Sequence, residues 1–267
     1  MSASMYKDQN SVTTVLAIMN QMSATLGAGF RVEHSTTINT KRGVQVRVNP
    51  TTFPKIRYFG IGIKGYANLT SENNLAQPYM PSATDCDLYE PIPFRCTESP
   101  LTGSEAAKYR MHTTVEINGK TYHQYWLKVI EFESSTPKTT IVKDNIESEF
   151  IFTNGNLYPQ PNDLFPSDLA KVESRLVSSI TGICRVTGAE VREVINAMYG
   201  GDIRRATISE FGTYSGCDLK TDDGGVEAVY VQLATHKCCL GQRLSNDGDV
   251  LIERKVFENG SSAILGA

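Results

Sequence analysis

The chain lacks most of the signatures by which a sequence declares its chemistry. No apolar stretch approaches the roughly 18 residues that a membrane-spanning helix needs, so no membrane span is expected. No run of five or more basic residues occurs, and the formal charge of −3 carries no nucleic-acid footprint. The six cysteines include no C-x-x-C pair, which removes the commonest zinc and redox patterns. Residues 1–10 are polar and lack the apolar core of a secretory leader, so synthesis in a cytoplasm is expected. Ser215-Gly216-Cys217 lacks the G-x-S-x-G frame of a hydrolase nucleophile.

The richest stretch is 55–66, where Gly60, Gly62 and Gly65 spell G-x-G-x-x-G. That fingerprint works when a strand turns tightly into a helix whose N-terminus holds a pyrophosphate. Ile56, Tyr58, Ile61 and Ile63 satisfy the strand half. The helix half fails, because residues 66–77 carry no i, i+3, i+4 apolar stripe and Pro78 closes them. The glycines are therefore expected to permit a bulge or a close backbone approach, with no nucleotide nearby.

At 40 % hydrophobic and 21 % charged, the chain can bury a full core. The pattern predicts an α+β fold of mostly antiparallel strands, two or three helices and long proline-rich loops. Ser11 is placed to cap a helix carrying Val12, Val15, Leu16, Met19, Met22 and Leu26, with Gly27 to end it. Gly43 to Val48 alternates as a half-buried strand. Asn118-Gly119 joins Arg110–Ile117 to Lys120–Phe132 as a hairpin holding the only tryptophan, Trp126. Residues 172–186 fit helix or strand; Leu176, Ile180, Cys184 and Val186 share one strand parity and β-branched residues are dense, which favours strand. Thr187 to Glu190 forms a capping box ahead of Val191, Val194, Ile195 and Met198, and Gly200-Gly201 stop that helix. Residues 206–214, 226–239 and 250–257 read as strands. Segments 67–108 and 133–166 read as irregular. The second is the expected internal boundary of a single subunit, separating a β-rich part, 1–132, from an α+β part, 167–267.

Candidate chemistry is thin. Asp85, Asp87 and Glu90 have oxygen ligands at short spacing but not the spacing of a calcium loop, and read as an acidic turn. Asp222–Gly225 and Asn246–Asp249 fall where turns between strands belong. Of His34, His112, His123 and His236, only His112 and His123 are expected to meet, across the hairpin, and no metal site is expected. The cysteines, Cys86, Cys96, Cys184, Cys217, Cys238 and Cys239, read either as reduced small hydrophobes or as disulfides, intersubunit ones included. Cys238 and Cys239 alternate across a strand and so face opposite sides. The sequons at Asn68 and Asn259 read as chance in a chain without a leader. No catalytic residue, cofactor or metal is assigned.

Four blocks, 58–65, 81–95, 107–110 and 208–218, occur in an order that resembles a group of virion structural proteins from large tailed bacteriophages. The resemblance spans most of residues 55–240. It implies a non-enzymatic subunit of the neck, tail end or baseplate, built into a ring with copies of itself and other tail proteins, and located in the virion after synthesis in the bacterial host. Membrane and specific nucleic acid are not among the implied partners. The chain departs from that group at Cys217, Cys238 and Cys239. Ring assembly needs large apolar contacts, and Pro78–Arg95 offers Tyr79, Met80, Leu88, Tyr89, Ile92 and Phe94 on a segment stiffened by four prolines. The rival readings are a receptor- or carbohydrate-binding virion module, which needs an exposed aromatic cleft, and a nucleotide-dependent or hydrolytic enzyme, which needs a helix at Gly65.

Overall fold

The computed structural model describes residues 11–29, 37–44, 52–68, 76–143, 146–153, 174–221 and 225–262. Most of the strand expected over 43–48, His34 and most of Asp222–Gly225 lie outside them. The chain forms two compact units, one of residues 1–130 and 185–252, the other of 131–184 and 253–267. The boundary expected in 133–166 is thereby corrected. The chain leaves the first unit near 130 and returns to it at 185, because the later strands pair with the early ones.

The first unit is an eight-stranded antiparallel sheet. In chain order its strands are β1 (Ser11–Thr13), β2 (Lys55–Gly62), β5 (Pro91–Ile92), β6 (Arg95–Thr97), β7 (Tyr109–Ile117), β8 (Lys120–Val129), β13 (Thr207–Lys220) and β14 (Val226–Arg243). The path runs β1-β14-β13-β2-β8-β6, with β5 on β2 and β7 on β8. A small ribbon pairs β3 (Tyr66–Asn68) with β4 (Ala76–Pro78). Four helices are described: α1 (Val15–Leu26), α2 (Ile38–Lys41), α3 (Gly103–Ala106) and α4 (Gly188–Tyr199). The α+β expectation holds.

Several local expectations hold for the reasons given. Asn118 and Gly119 both take positive φ, 51° and 76°, as a type I′ turn requires, and Ile117 faces Lys120 across it. Both halves of the α4 capping box form, and Gly200 ends the helix at φ 60°. The core gathers Tyr58, Leu88, Met111, Leu127, Tyr214, Val231 and Leu233 between these elements. Helix α1 starts later than expected. Residues 11–13 pair with β14 as β1, and Thr14, not Ser11, is the N-cap, its hydroxyl accepting from Ala17 N.

The second unit holds a sheet ordered β11-β10-β12-β15, with β9 also on β12. Its strands are β9 (Glu131–Phe132), β10 (Lys138–Lys143), β11 (Ile146–Glu149), β12 (Ser174–Thr187) and β15 (Val250–Ser262). Part of the segment expected to be irregular is thus a hairpin, β10–β11, with Lys143 opposite Ile146. The polar composition of this stretch hid the pairing. All four β11 residues are exposed, so no buried face imposes an apolar alternation.

Candidate functional site

The glycine block ends in an anion site, and the anion belongs to the chain. Strand β2 pairs with β13 so that Gly62 faces Glu210 and Gly60 faces Gly212. A Cβ at Gly60 would stand 2.9 Å from the Tyr214 ring. One at Gly62 would meet the Glu210 carboxylate and, at 2.8 Å, the Glu90 carbonyl. One at Gly65 would overlap the Ser209 carbonyl. The expected crowding is therefore present at all three positions, and the residues directly after Gly65 form strand β3, not a helix. The register of β13 against β14 also shifts between Ile208 and Glu210, a bulge of the kind that re-aims a side chain.

Glu210 is fully buried. Its Oε1 accepts from Tyr89 N at 2.7 Å, and its Oε2 accepts from Lys64 N at 3.0 Å and Glu90 N at 3.1 Å. The backbone that would have faced a phosphate is occupied by this carboxylate. His236, also fully buried, sets Nε2 3.2 Å from Glu210 Oε1 and Nδ1 2.8 Å from Asp85 Oδ2. The Tyr89 ring covers the imidazole edge-on, centroid to centroid 4.7 Å. Cys238 Sγ lies 3.7 Å from His236 Nε2, and Cys238 sits directly across from Glu210 in the β13–β14 ladder.

The electrostatics follow from this packing. Burial alone would raise the pKa of Glu210, but His236 and the three backbone amides hold it below the ordinary carboxylate range. Burial alone would lower His236, yet its hydrogen bonds to Glu210 and Asp85 keep it above its ordinary value. Burial, with Glu210, Cys239 and Asp85 adding negative potential, pushes the Cys238 thiol up to about 12. An activated nucleophile needs the opposite shift. The arrangement binds a loop to a sheet and can present three ligand types to one ion: the donor atoms of Glu210, His236 and Cys238 lie within 4.8 Å of one another.

The acidic turn does not converge on an ion. Asp85 accepts from Ser82 N and meets His236, Asp87 caps Leu88 N and receives Tyr214 Oη at 3.3 Å, and Glu90 pairs with Arg205 at 3.0 Å. The Asn246–Asp249 turn closes on itself, Asn246 N donating to Asp249 Oδ2. His112 and His123 do meet, stacked at 5.1 Å. Ser215 and Cys217 are buried, the first accepting from Asn20 and the second reaching the Thr52 carbonyl.

The interface residues separate into two groups. Tyr79, Met80 and Tyr89 are exposed. Leu88, Ile92 and Phe94 are buried in the chain's own core, which corrects their assignment as contact residues. Backbone bonds from Ile63 N to Glu90 O and Phe94 N to Tyr125 O pull this part of the loop onto the sheet. No disulfide joins any of the six cysteines. Cys96, Cys184, Cys217 and Cys238 are buried, which closes them to a bridge with another subunit, and only Cys86 and Cys239 are half-exposed. Cys238 and Cys239 do face opposite ways, Cys239 reaching the Ser209 carbonyl.

Sequence reasoning missed two things. One is the cluster itself, whose signal was His236-Lys237-Cys238, an i, i+2 pair on one strand face. The other is the outward face of α1. Its apolar stripe is present as expected, but Val15, Ile18, Met19, Met22 and Leu26 are 44–69 % exposed, while Ala17 and Asn20 are buried. Asn20 donates to Ser215 Oγ and Gln232 Oε1, a polar anchor that the periodicity did not reveal.

Fold and cluster together define a mostly antiparallel α+β protein whose central sheet carries a buried carboxylate hub. A family of unknown function, DUF7208, matches residues 1–240, and the chain belongs to that family. No curated protein and no solved structure matches it.

Proposed function

We propose that this chain is a non-enzymatic structural subunit of a tailed-phage virion, assembled with copies of itself into a ring or adaptor layer in the neck, tail end or baseplate. The observation that supports this reading is α1. The helix contains no charged residue, its inner side is Ala17 and Asn20, and five large apolar side chains point away from the sheet. Such a ridge favours an apolar partner face and offers nothing to a charged one. It is anchored firmly enough to serve, with Thr14 N donating to Ala234 O and Val15 N to Ala83 O. The second bond ties the start of the helix to the loop that carries the exposed Tyr79 and Met80. One helix face is smaller than the roughly 800 Å² per partner of a stable contact, so α1 and this loop are read as parts of a wider, head-to-tail surface between copies of the chain.

The test is the mass of the purified chain, alone and recovered from particles, against a Met19→Glu/Met22→Glu variant. The expected result is a closed oligomer that the variant converts to a monomer with unchanged circular dichroism. A strictly monomeric wild-type chain that is absent from particles would sink the reading.

A further inference from the structure

The buried cluster has the form of a metal site. A tetrahedral zinc ion with bonds of about 2.0 Å to nitrogen and oxygen and about 2.3 Å to sulfur places an N···O ligand pair about 3.3 Å apart and an N···S pair about 3.6 Å apart. Here His236 Nε2 lies 3.2 Å from Glu210 Oε1 and 3.7 Å from Cys238 Sγ. The three donors come from two paired strands whose register sets Glu210 opposite Cys238 and His236 opposite Gly212. Gly212 contributes no side chain at a position where a Cβ would crowd Leu233 and Leu88.

We propose that Glu210, His236 and Cys238 bind a structural Zn²⁺ ion. Outer partners are already in place. Asp85 receives His236 Nδ1–H at 2.8 Å, fixing the tautomer that turns Nε2 toward the ion, as carboxylates do behind metal-bound histidines. The amides of Tyr89, Lys64 and Glu90 hold the Glu210 carboxylate in a single orientation. The mixed thiolate, imidazole and carboxylate set suits a borderline ion and disfavours Mg²⁺ or Ca²⁺, which take oxygen ligands. Binding replaces the proton on Cys238 Sγ and the one shared between His236 Nε2 and Glu210, and releases them to solvent. The ligands are completely buried, so the ion enters as the sheet closes and ties the 85–90 loop to β13 and β14. The chain supplies three ligands, so a water completes the tetrahedron, and complete burial of the three ligands keeps substrate away from it, which makes the ion structural.

The experiment uses the full chain refolded with Zn²⁺ or Co²⁺, with metal content and absorption as readouts. The expected result is stoichiometric Zn²⁺ that survives desalting. The Co²⁺ form should show tetrahedral visible bands and a single thiolate-to-cobalt charge-transfer band. Asp85→Asn should weaken binding about 10–100-fold. Cys238→Ser should abolish the charge-transfer band, while Cys96→Ser, a buried thiol elsewhere, leaves it intact. Should Cys238→Ser fail to fold, the wild-type spectrum and a drop in melting temperature on chelation decide. A folded wild-type chain that retains no stoichiometric metal, shows no thiolate band, or melts identically with and without chelator overturns the proposal.

Discussion

Helices α1 and α4 are near twins in sequence design and opposites in use. Each has 12 residues, a threonine N-cap and a glycine C-cap in the left-handed region. Each carries an apolar stripe at helical spacing. In α4 that stripe is the buried side, with Val191, Val194 and Ile195 at most 1 % exposed. In α1 the stripe faces outward and small or polar residues face the sheet. A stripe shows that a helix will form and which side is apolar. It does not say whether that side finds its partner inside the chain or beyond it.

The largest effect should come from the anchor that only α4 possesses. Glu190 Oε1 accepts from Lys128 Nζ at 2.7 Å and from Tyr109 Oη at 2.5 Å, while Oε2 accepts from Thr187 N at 2.8 Å. Glu190→Gln leaves Lys128 buried without its counter-charge, at a cost of about 3–5 kcal/mol by denaturant unfolding. The same group sets an acid limit. Burial alone would raise its pKa, but Lys128, Tyr109 and Thr187 together hold it below the ordinary value. A depressed folded-state pKa gives stability that is fully present above the unfolded value, about 4.3, and is lost as pH falls through the folded one. Asp218, held down by Arg110 and Tyr58 against its own burial, acts in the same direction. Stability should therefore fall below about pH 4, and Glu190→Gln should flatten that fall. An unchanged acid limb would remove Glu190 from the account.

The second effect separates the stripes directly. Ile195→Ala empties a filled site and should cost about 3 kcal/mol. Ile18→Ala, at the corresponding apolar stripe of α1, should lie within about 0.5 kcal/mol when measured on dilute monomer. Equal costs would mean that α1 is packed within its own chain.

These contrasts mark what the residues could reveal. The α4 helix was legible from end to end because every signal was local: the capping box, the stripe and the paired glycines. The Asn118-Gly119 hairpin was legible for the same reason. The hub was not. Asp85, Glu210 and His236 lie 26 to 151 positions apart in sequence; the β13–β14 register and the bulge at Glu210 set Glu210 beside His236, and the loop through Asp85 closes onto them. The glycine block gave half of it, since close backbone approach was expected but the approaching group was not. The apolar loop anchors failed differently. Tyr79 and Leu88 look alike as large hydrophobes, and only the backbone bonds of Ile63 and Phe94 decide that 88–94 turns inward. Strand β11 was missed because four exposed residues in a row show no alternation to read.

The smallest effect lies in the caps, where the two helices differ in a subtler way. The Thr187 hydroxyl works within its own helix turn, accepting from Glu190 N at 3.2 Å and donating to Glu190 Oε2 at 2.9 Å. The Thr14 hydroxyl accepts from Ala17 N at 3.3 Å and also donates to Leu233 O, 2.6 Å away in β14. Loss of a threonine cap costs about 1 kcal/mol. Removal of Thr14 also leaves a buried carbonyl short of a donor, which adds a further cost of about 1 kcal/mol or more. Thr14→Ala should therefore destabilise more than Thr187→Ala. A helix whose apolar face is turned outward is held to its sheet by few groups, and Thr14 is one of them, beside Asn20. Hydrogen exchange in α1 of the Thr14→Ala chain, compared with α4 of the Thr187→Ala chain, measures this. Faster local opening of α1 is the expected outcome, and equal protection would show that the Thr14 hydroxyl does not help to hold α1 to its sheet.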